Sequence, residues 1–207
     1  MLARRKSYLG VLIVPALSIL LALLVASVLL IFSGLLGPEG KINLTLPLVA
    51  YRSLLLGALG NFKGIANMIV AAAPLMLTGL AVGVGLKAGL FNIGATGQVL
   101  LGGFTAALVG VLMAGTSPFI AIPVAMLGGM LAGALAGFIP GWLKAYTGAH
   151  EVVTTIMLNA FIQLTVSGLV NDIFRAPGFS FARTAPVGNA ALTGIGGTTL
   201  HVGVFFA

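Results

Sequence analysis

The chain is a series of long apolar stretches that charged residues interrupt only at intervals. A helix needs about 20 apolar residues to cross the hydrocarbon core of a bilayer, so each stretch of that length predicts one membrane span. The longest uncharged stretch, 88–143, is divided by the turn-forming residues 115–118. The pattern predicts an all-α fold, a polytopic transmembrane helical bundle, with spans at about 8–32, 65–86, 95–114, 119–142 and 152–170 and the start of a sixth at 200–207.

Two segments between these spans are too polar to cross a membrane. Residues 40–63 carry Lys41, Arg52 and Lys63 among leucines, which predicts an amphipathic helix lying at the outer interface. Residues 171–199 are rich in glycine and polar side chains and predict an outer loop. The apolar run that begins at Leu200 stops at Ala207, so we expect a truncated chain that ends within its next helix.

The composition supports a membrane protein and excludes several other classes. Lys and Arg number 10, Asp and Glu number 3, and together they make up 6% of the chain, against 59% hydrophobic residues and a mean hydropathy of +1.19. So few charges cannot cover a soluble globule, and the cations are too scattered for nucleic-acid binding. With no cysteine, the chain has no disulfide scaffold. Its 30 glycines and 9 prolines are typical of the closely packed or broken helices of transporters.

Positive charge predicts the orientation. Arg4, Arg5 and Lys6 directly precede the first span, which places the N-terminus in the cytoplasm. Lys87 and Lys144 then also lie on the cytoplasmic side, and the loops at 34–63 and 171–199 lie outside.

Glycine recurs every four residues in the fourth predicted span. Residues four apart share one helix face, so this face is nearly smooth and lets a neighbouring backbone approach closely. We interpret it as a helix-packing surface, with a surface that slides during a conformational cycle as the alternative. The four glycines are Gly129, Gly133, Gly137 and Gly141.

Two polar clusters lie within or beside the predicted spans. The first, 89–98, holds three glycines together with Asn92, Thr96 and Gln98. Such a stretch can leave helical geometry, and its backbone groups then need partners. It predicts either a tight inner turn with interhelical hydrogen bonds or part of a substrate path.

The second cluster follows the fifth span. A polar residue recurs there at every fourth position, and each step of four drifts about 40° around an ideal helix. The stripe predicts either interhelical hydrogen bonds or the lining of an aqueous path or substrate site. Its members are Glu151, Thr155, Asn159, Gln163 and Ser167.

Chemistry of the usual enzymatic kinds is not indicated. His150 and Glu151 are adjacent, which is poor geometry for a metal pair, so no metal site is predicted. The sequence has no G-x-x-x-x-G-K-[ST] motif, so any ATP that drives transport must bind another polypeptide. We expect a transport subunit that is not itself an enzyme and holds no cofactor.

Two sequence runs carry a family resemblance. KAGLFNIGATGQVLLGG (87–103) and GWLKAYTGAHEVVTTIMLN (141–159) resemble the permease subunits of bacterial ABC importers of the ribose/branched-chain amino acid type, nearest to the nucleoside and simple-sugar branch. Thr96 stands where that branch often has an acid, and His150 stands where it often has Asn. These two departures concern the exact substrate.

The resemblance implies a domain organisation, a location, a set of partners and a set of site residues. The chain would be a single permease domain over 1–207, the N-terminal half of a roughly ten-span permease in the bacterial cytoplasmic membrane. Its partners would be separate ABC ATPase subunits that bind ATP, a second permease subunit, an extracytoplasmic substrate-binding protein and the lipid bilayer, with no nucleic acid. Path-lining or helix-fixing residues would be Asn92, Thr96, Gln98, Glu151, Thr155, Asn159 and Gln163.

Alternating access would then move a nucleoside or simple sugar inward. The alternative is an ion-gradient-driven secondary transporter or channel, which would also suit broken helices with polar residues near the midplane. Such carriers commonly hold acids in the membrane, and here only Glu151 lies near a span.

Overall fold

The computed structural model describes residues 2–36 and 40–206, with side chains for 12–35 and 40–204. Over these residues the regular structure is entirely helical, with no strand. The chain divides into two compact units, 1–65 and 66–207. That division describes internal contacts, so the single permease domain predicted over 1–207 stays a prediction.

The first unit contains two helices, α1 (Leu2–Ser33) and α2 (Leu46–Leu59), with a 3₁₀ turn at Gly34–Leu36. The Tyr51 hydroxyl of α2 donates to the Leu23 carbonyl oxygen at 2.6 Å and lies 3.0 Å from Ser27 Oγ, which fixes α2 against α1. A helix in 40–63 is therefore confirmed, and its place at a membrane interface stays a prediction. The side chains of the basic cluster at 4–6 lie outside the described residues.

The second unit is built on four helices. They are α3 (Phe62–Lys87), α4 (Ala95–Leu112), α5 (Pro118–Thr147) and α6 (Glu151–Gly168), and a π-helical turn, Leu169–Ile173, continues α6. Shorter 3₁₀ turns follow at Gly188–Ala190, Ile195–Gly197 and Val202–Phe206. Helices α1, α3, α4, α5 and α6 are long and apolar enough to cross a membrane, which confirms a helix at each of the five predicted spans.

The observed helices run past some predicted span ends. Helix α5 continues to Thr147 because helical hydrogen bonding does not need to stop where the apolar core ends, and it is closed by Gly148, whose φ of 68° suits a left-handed C-terminal cap. At the predicted start of a sixth span, Leu200 and Val204 are buried against Ala66 and Ala73 of α3. Ala207 lies outside the described residues.

Helices α4 and α5 pack along most of their length. A Cβ atom placed on Gly102 of α4 would lie 2.9 Å from the Gly129 carbonyl oxygen, and one placed on Gly129 would lie 2.8 Å from the Gly102 carbonyl oxygen. The two backbones therefore touch where each helix has a glycine. This is the close approach that small residues permit between membrane helices.

The remaining glycines of the α5 row face the beginning of α4. A Cβ atom on Gly133 would lie 3.4 Å from the Gln98 carbonyl oxygen, one on Gly137 3.4 Å from Gln98 Nε2, and one on Gly141 3.7 Å from Leu90 Cδ1. The row thus faces α4 and the segment before it from end to end. Whether it also slides stays a prediction.

Gly102→Ala and Gly103→Ala form a matched pair that tests this contact. Both add one methyl group to the middle of α4, but the Gly102 position meets the α5 backbone and the Gly103 position is open. We expect Gly102→Ala to destabilise the protein by about 1–3 kcal/mol through overpacking, and Gly103→Ala to be neutral. The measurement is the midpoint of heat-induced loss of the monodisperse peak in detergent, and equal midpoints would contradict the contact.

Candidate functional site

The helical path is broken between α3 and α4, over residues 88–94, where Gly89 adopts a φ of 75°. Side chains supply partners for the backbone of this segment. The Gly94 N–H donates to Asn92 Oδ1 at 2.9 Å, and the Ile93 N–H donates to Thr155 Oγ1 at 3.3 Å. The segment lies between the candidate spans of α3 and α4, and α6 supplies the partner for one of its backbone N–H groups.

A reciprocal amide pair closes the segment onto the first turn of α4. Asn92 Nδ2 donates to Gln98 Oε1 at 3.2 Å, and Gln98 Nε2 donates to Asn92 Oδ1 at 3.3 Å. Both side chains are half-buried. Each amide carries a donor and an acceptor, so the pair can bind itself or a ligand with hydroxyl groups.

Thr155 joins α6 to the broken segment. It is 1% exposed and is the largest of the fully buried side chains in the described part of the chain. Its hydroxyl donates to the Glu151 carbonyl oxygen at 2.8 Å while it accepts from Ile93. The Thr155 side chain therefore sits at the junction of α6 with the start of α4.

The polar stripe of α6 changes its surroundings along the helix. Asn159 is half-buried, and a Cβ atom on Gly97 would lie 2.8 Å from its Oδ1 atom, so it lies directly against α4. Gln163 is exposed and donates to Asn159 Oδ1 at 3.3 Å, and Ser167 is also exposed. The helical drift of the stripe carries it from the α4 contact to the surface of the second unit.

The structure gathers most of the predicted residues at one end of the second unit. Asn92, Gln98 and Thr155 are joined through the broken segment, and Asn159 contacts the first turn of α4 at Gly97. Gln163 reaches the group only through Asn159. Thr96 is exposed, and no hydrogen bond of its side chain is found among the described residues. The proposed role of these residues in a substrate path stays a prediction.

Lys144 belongs to this end of the unit as well, and the sequence predicted only that it lies on the cytoplasmic side. Its Nζ atom lies 2.7 Å from Glu151 Oε1 and 2.5 Å from the Gly89 carbonyl oxygen. Lys144 thus ties together α5, α6 and the broken segment. The sequence did contain a signal for this ion pair. A basic residue ends one span, an acid begins the next, and a short turn separates them.

Gln98 also lines a cavity of about 260 Å³ between α3, α4 and α5. Thr78 is the other polar side chain in the described lining, and the rest is apolar or glycine. The cavity therefore offers two polar side chains in an apolar setting.

Thr155→Val, with Thr154→Val as its control, tests whether the Thr155 hydroxyl stabilises the broken segment. Both hydroxyls bond carbonyls of their own helix, but only Thr155 accepts from Ile93. Valine at 155 keeps the shape and leaves the Ile93 N–H unpaired, which costs about 1–3 kcal/mol. We expect a lower thermal midpoint in detergent for Thr155→Val alone, and equal midpoints for the two variants would contradict this role.

Lys144→Met tests the ion pair, with Lys87→Met as the control at the same end of the helices. The Lys144 and Glu151 side chains are 35% and 19% exposed, so solvent screens them and we expect a small loss of stability. Adding Glu151→Gln should recover part of the loss because it removes the unpaired carboxylate. The measurement is again the thermal midpoint in detergent. An equally large drop of the midpoint for Lys87→Met would contradict a stabilising role of the ion pair.

Comparison with known proteins places the chain in a family. Residues 64–195 match the model of the family described as branched-chain amino acid transport system / permease component. This range includes the broken segment, the amide pair and Thr155. No solved structure matches the chain significantly.

Three curated relatives share part of the sequence. The nucleoside ABC transporter permease protein NupB of Lactococcus lactis is 32% identical over 62% of this chain and 35% of its own length. The guanosine ABC transporter permease protein NupP of Bacillus subtilis is 37% identical over 72% and 39%. The glucose ABC transporter permease protein TsgB13 of Haloferax volcanii is 35% identical over 86% and 44%. The matches thus span less than half the length of each relative, and the chain belongs to the branched-chain amino acid transport system permease family of ABC transporters.

Proposed function

We propose that this chain forms part of the membrane-spanning permease subunit of an ATP-binding-cassette importer for a nucleoside or a simple sugar. The observation that carries the proposal is the family match over 64–195, because it covers the whole polar cluster. The names of the relatives support the substrate class, since two of them specify nucleosides and one specifies glucose. In this family the ATPase is a separate subunit, which fits the missing phosphate-binding motif.

The proposed mechanism is alternating access. A substrate-binding protein outside delivers the substrate, and two partner ATPases switch a dimer of permease subunits between outward and inward states. ATP moves the substrate only through the difference in free energy between those states. No cofactor is held by this chain in the proposal, and its own residues bind and position the substrate.

The amide pair is suited to that task. Asn92 and Gln98 bond each other at 3.2 and 3.3 Å, which is long for hydrogen bonds between neutral groups. A substrate hydroxyl offers a donor and an acceptor, so it can replace one amide as the hydrogen-bond partner of the other. Gln98 already lines the cavity beside α3, where such a hydroxyl would reach it.

The proposed location is the bacterial cytoplasmic membrane with the N-terminus in the cytoplasm. The segments 88–94 and 148–150 lie at the same end of the second unit, where Lys144 contacts both Gly89 and Glu151. Lys87 lies beside the first of these segments. Two cations at one end of a helix group favour the cytoplasmic side by the positive-inside rule.

An ion-driven carrier finds less support. Asp172 lies in the π-helical turn that ends the α6 span, and Glu151 at the start of that span has its carboxylate paired with Lys144 at 2.7 Å. A coupling ion would have to displace this pairing. The family match favours the ATP-driven alternative.

Uptake by the full-length protein with its ATPases and binding protein tests the proposal. We expect ATP-dependent accumulation of labelled nucleosides or sugars, and about a tenfold loss for Gln98→Leu and for Asn159→Leu, equivalent to about 1.4 kcal/mol. Asn171→Leu removes an exposed amide outside the cluster and should leave uptake unchanged.

Two results would count against the proposal in different ways. If neither nucleosides nor sugars accumulate in an ATP-dependent manner, the importer function is wrong. If uptake occurs but both cluster variants transport normally at normal protein levels, the importer stands and the residue assignment is wrong.

A further inference from the structure

Helix α5 carries a ridge of large exposed side chains along one face. The members of this α5 ridge follow one another at intervals of three or four residues, so they share that face. On an ideal helix the ridge lies roughly opposite Gly129, Gly133 and Gly137, which face α4. The ridge is therefore the outward surface of α5 in the second unit. Its members are Leu131, Leu135, Phe138, Trp142 and Tyr146.

The chemical character of the α5 ridge changes towards the end of the helix. Its first three members are purely apolar, whereas Trp142 and Tyr146 each join an aromatic ring to a polar N–H or O–H group. The two ring centroids lie 5.5 Å apart, and the side chains are 46% and 78% exposed. Such rings are enriched where a bilayer meets water, because one part needs apolar surroundings and the other needs a polar partner. The ridge thus follows the polarity of a bilayer from its core to its surface.

Helix α5 is also longer than the hydrocarbon core of a bilayer. Its 30 residues rise about 45 Å, against a core of about 30 Å. At a tilt of about 20°, the average for membrane helices, the helix still extends about 42 Å across the membrane. Its first turn, Pro118 to Ala121, is apolar, and its last two turns hold Trp142, Lys144 and Tyr146. We therefore assign the excess length to the C-terminal end of α5.

The charges at this end complement the phosphate groups of lipids. Lys87 is exposed at the end of α3, and Lys144 lies between the two ridge aromatics along α5. Lysine side chains near the ends of membrane helices extend to the interface, where anionic headgroups attract them. Aromatic rings and cations at the same end of the helix group therefore match the two layers of a phospholipid surface.

We propose that Trp142 and Tyr146 anchor α5 in the headgroup layer of a phospholipid bilayer, and that the rest of the α5 ridge faces lipid acyl chains. The surface of another protein would not require the change from aliphatic to amphipathic side chains along the ridge, whereas a bilayer does. The anchor requires only that α5 spans a bilayer, so it is independent of the substrate that the protein transports.

The anchor has a consequence for the ion pair. Because Lys144 lies between Trp142 and Tyr146 along α5, rings held in the headgroup layer place Lys144 at the same depth. Its partners Glu151 and the Gly89 carbonyl group are then held there as well. Charged groups at this depth keep contact with water and headgroups, which avoids the cost of placing them in hydrocarbon.

Depth-dependent fluorescence quenching tests the anchor, because Trp142 is the one tryptophan of this chain. The full-length protein with its partners is reconstituted into vesicles of phosphatidylcholine and phosphatidylglycerol. The phosphatidylcholine is brominated either near the headgroup or near the end of its acyl chains. The difference in signal between the unaltered protein and Trp142→Phe isolates Trp142 from any other tryptophan. We expect bromine near the headgroup to quench Trp142 about twofold more than bromine near the bilayer centre.

Two further variants extend the measurement along the ridge. Phe138→Trp and Tyr146→Trp are each made together with Trp142→Phe, and each lies about 6 Å from position 142 along the helix. We expect the tryptophan at 138 to be quenched more strongly by the deep bromine than Trp142 is. We expect the tryptophan at 146 to be quenched more strongly by iodide in the aqueous phase.

Three results would overturn the anchor. Trp142 that neither brominated lipid quenches in the assembled transporter is covered by protein or lies in water, and iodide distinguishes these two cases. Trp142 quenched best by the deep bromine lies in the hydrocarbon core. Quenching by lipid that disappears when the second permease subunit is added would assign the ridge to the subunit interface. Failure to accumulate nucleosides or sugars would leave the anchor in place, since it contradicts only the proposed function.

Discussion

A backbone N–H or C=O group among apolar side chains needs a protein partner where no water can supply one. The helices meet most of this need within themselves. Residues 88–94 cannot, because they leave helical geometry between α3 and α4. Asn92 and Thr155 supply the acceptors for Gly94 and Ile93. Much of the polar architecture of the second unit serves this one break in the helical path.

The glycines follow from the same constraint. Thr155 can reach the Ile93 N–H only if α6 lies very close to the start of α4. A Cβ atom on Gly94 would lie 3.4 Å from Thr155 Cβ, and one on Gly97 would lie 3.1 Å from Asn159 Cα. Larger residues at these two positions would push α6 away and leave the N–H unpaired. The glycine-rich motif and the polar stripe of α6 are therefore two halves of one arrangement.

The sequence predicted the positions of the helices better than the contacts between their side chains. Span positions depend on the hydropathy of about 20 consecutive residues, so the apolar stretches were enough to locate five helices. Contacts depend on how each helix is rotated, which tertiary packing decides. Thr96 and Gln163 therefore match the polar pattern and yet lie at the surface, whereas Lys144 matched no pattern beyond a span end. His201 lies at the start of the predicted sixth span, and hydropathy alone could not place it beside α4 and α5.

The strengths of the contacts bear on which parts can move. Lys144 binds Glu151 at 2.7 Å through a charge-assisted bond and also holds Gly89, so the end of α5, the start of α6 and the broken segment are joined. The amide pair of Asn92 and Gln98 is neutral and longer, and its members can exchange partners. If alternating access operates as proposed, these three joined elements move as one body. The conformational change then takes place where Gln98 faces the cavity beside α3. The hydrogen bonds of the amide pair can be exchanged there at small net cost in free energy.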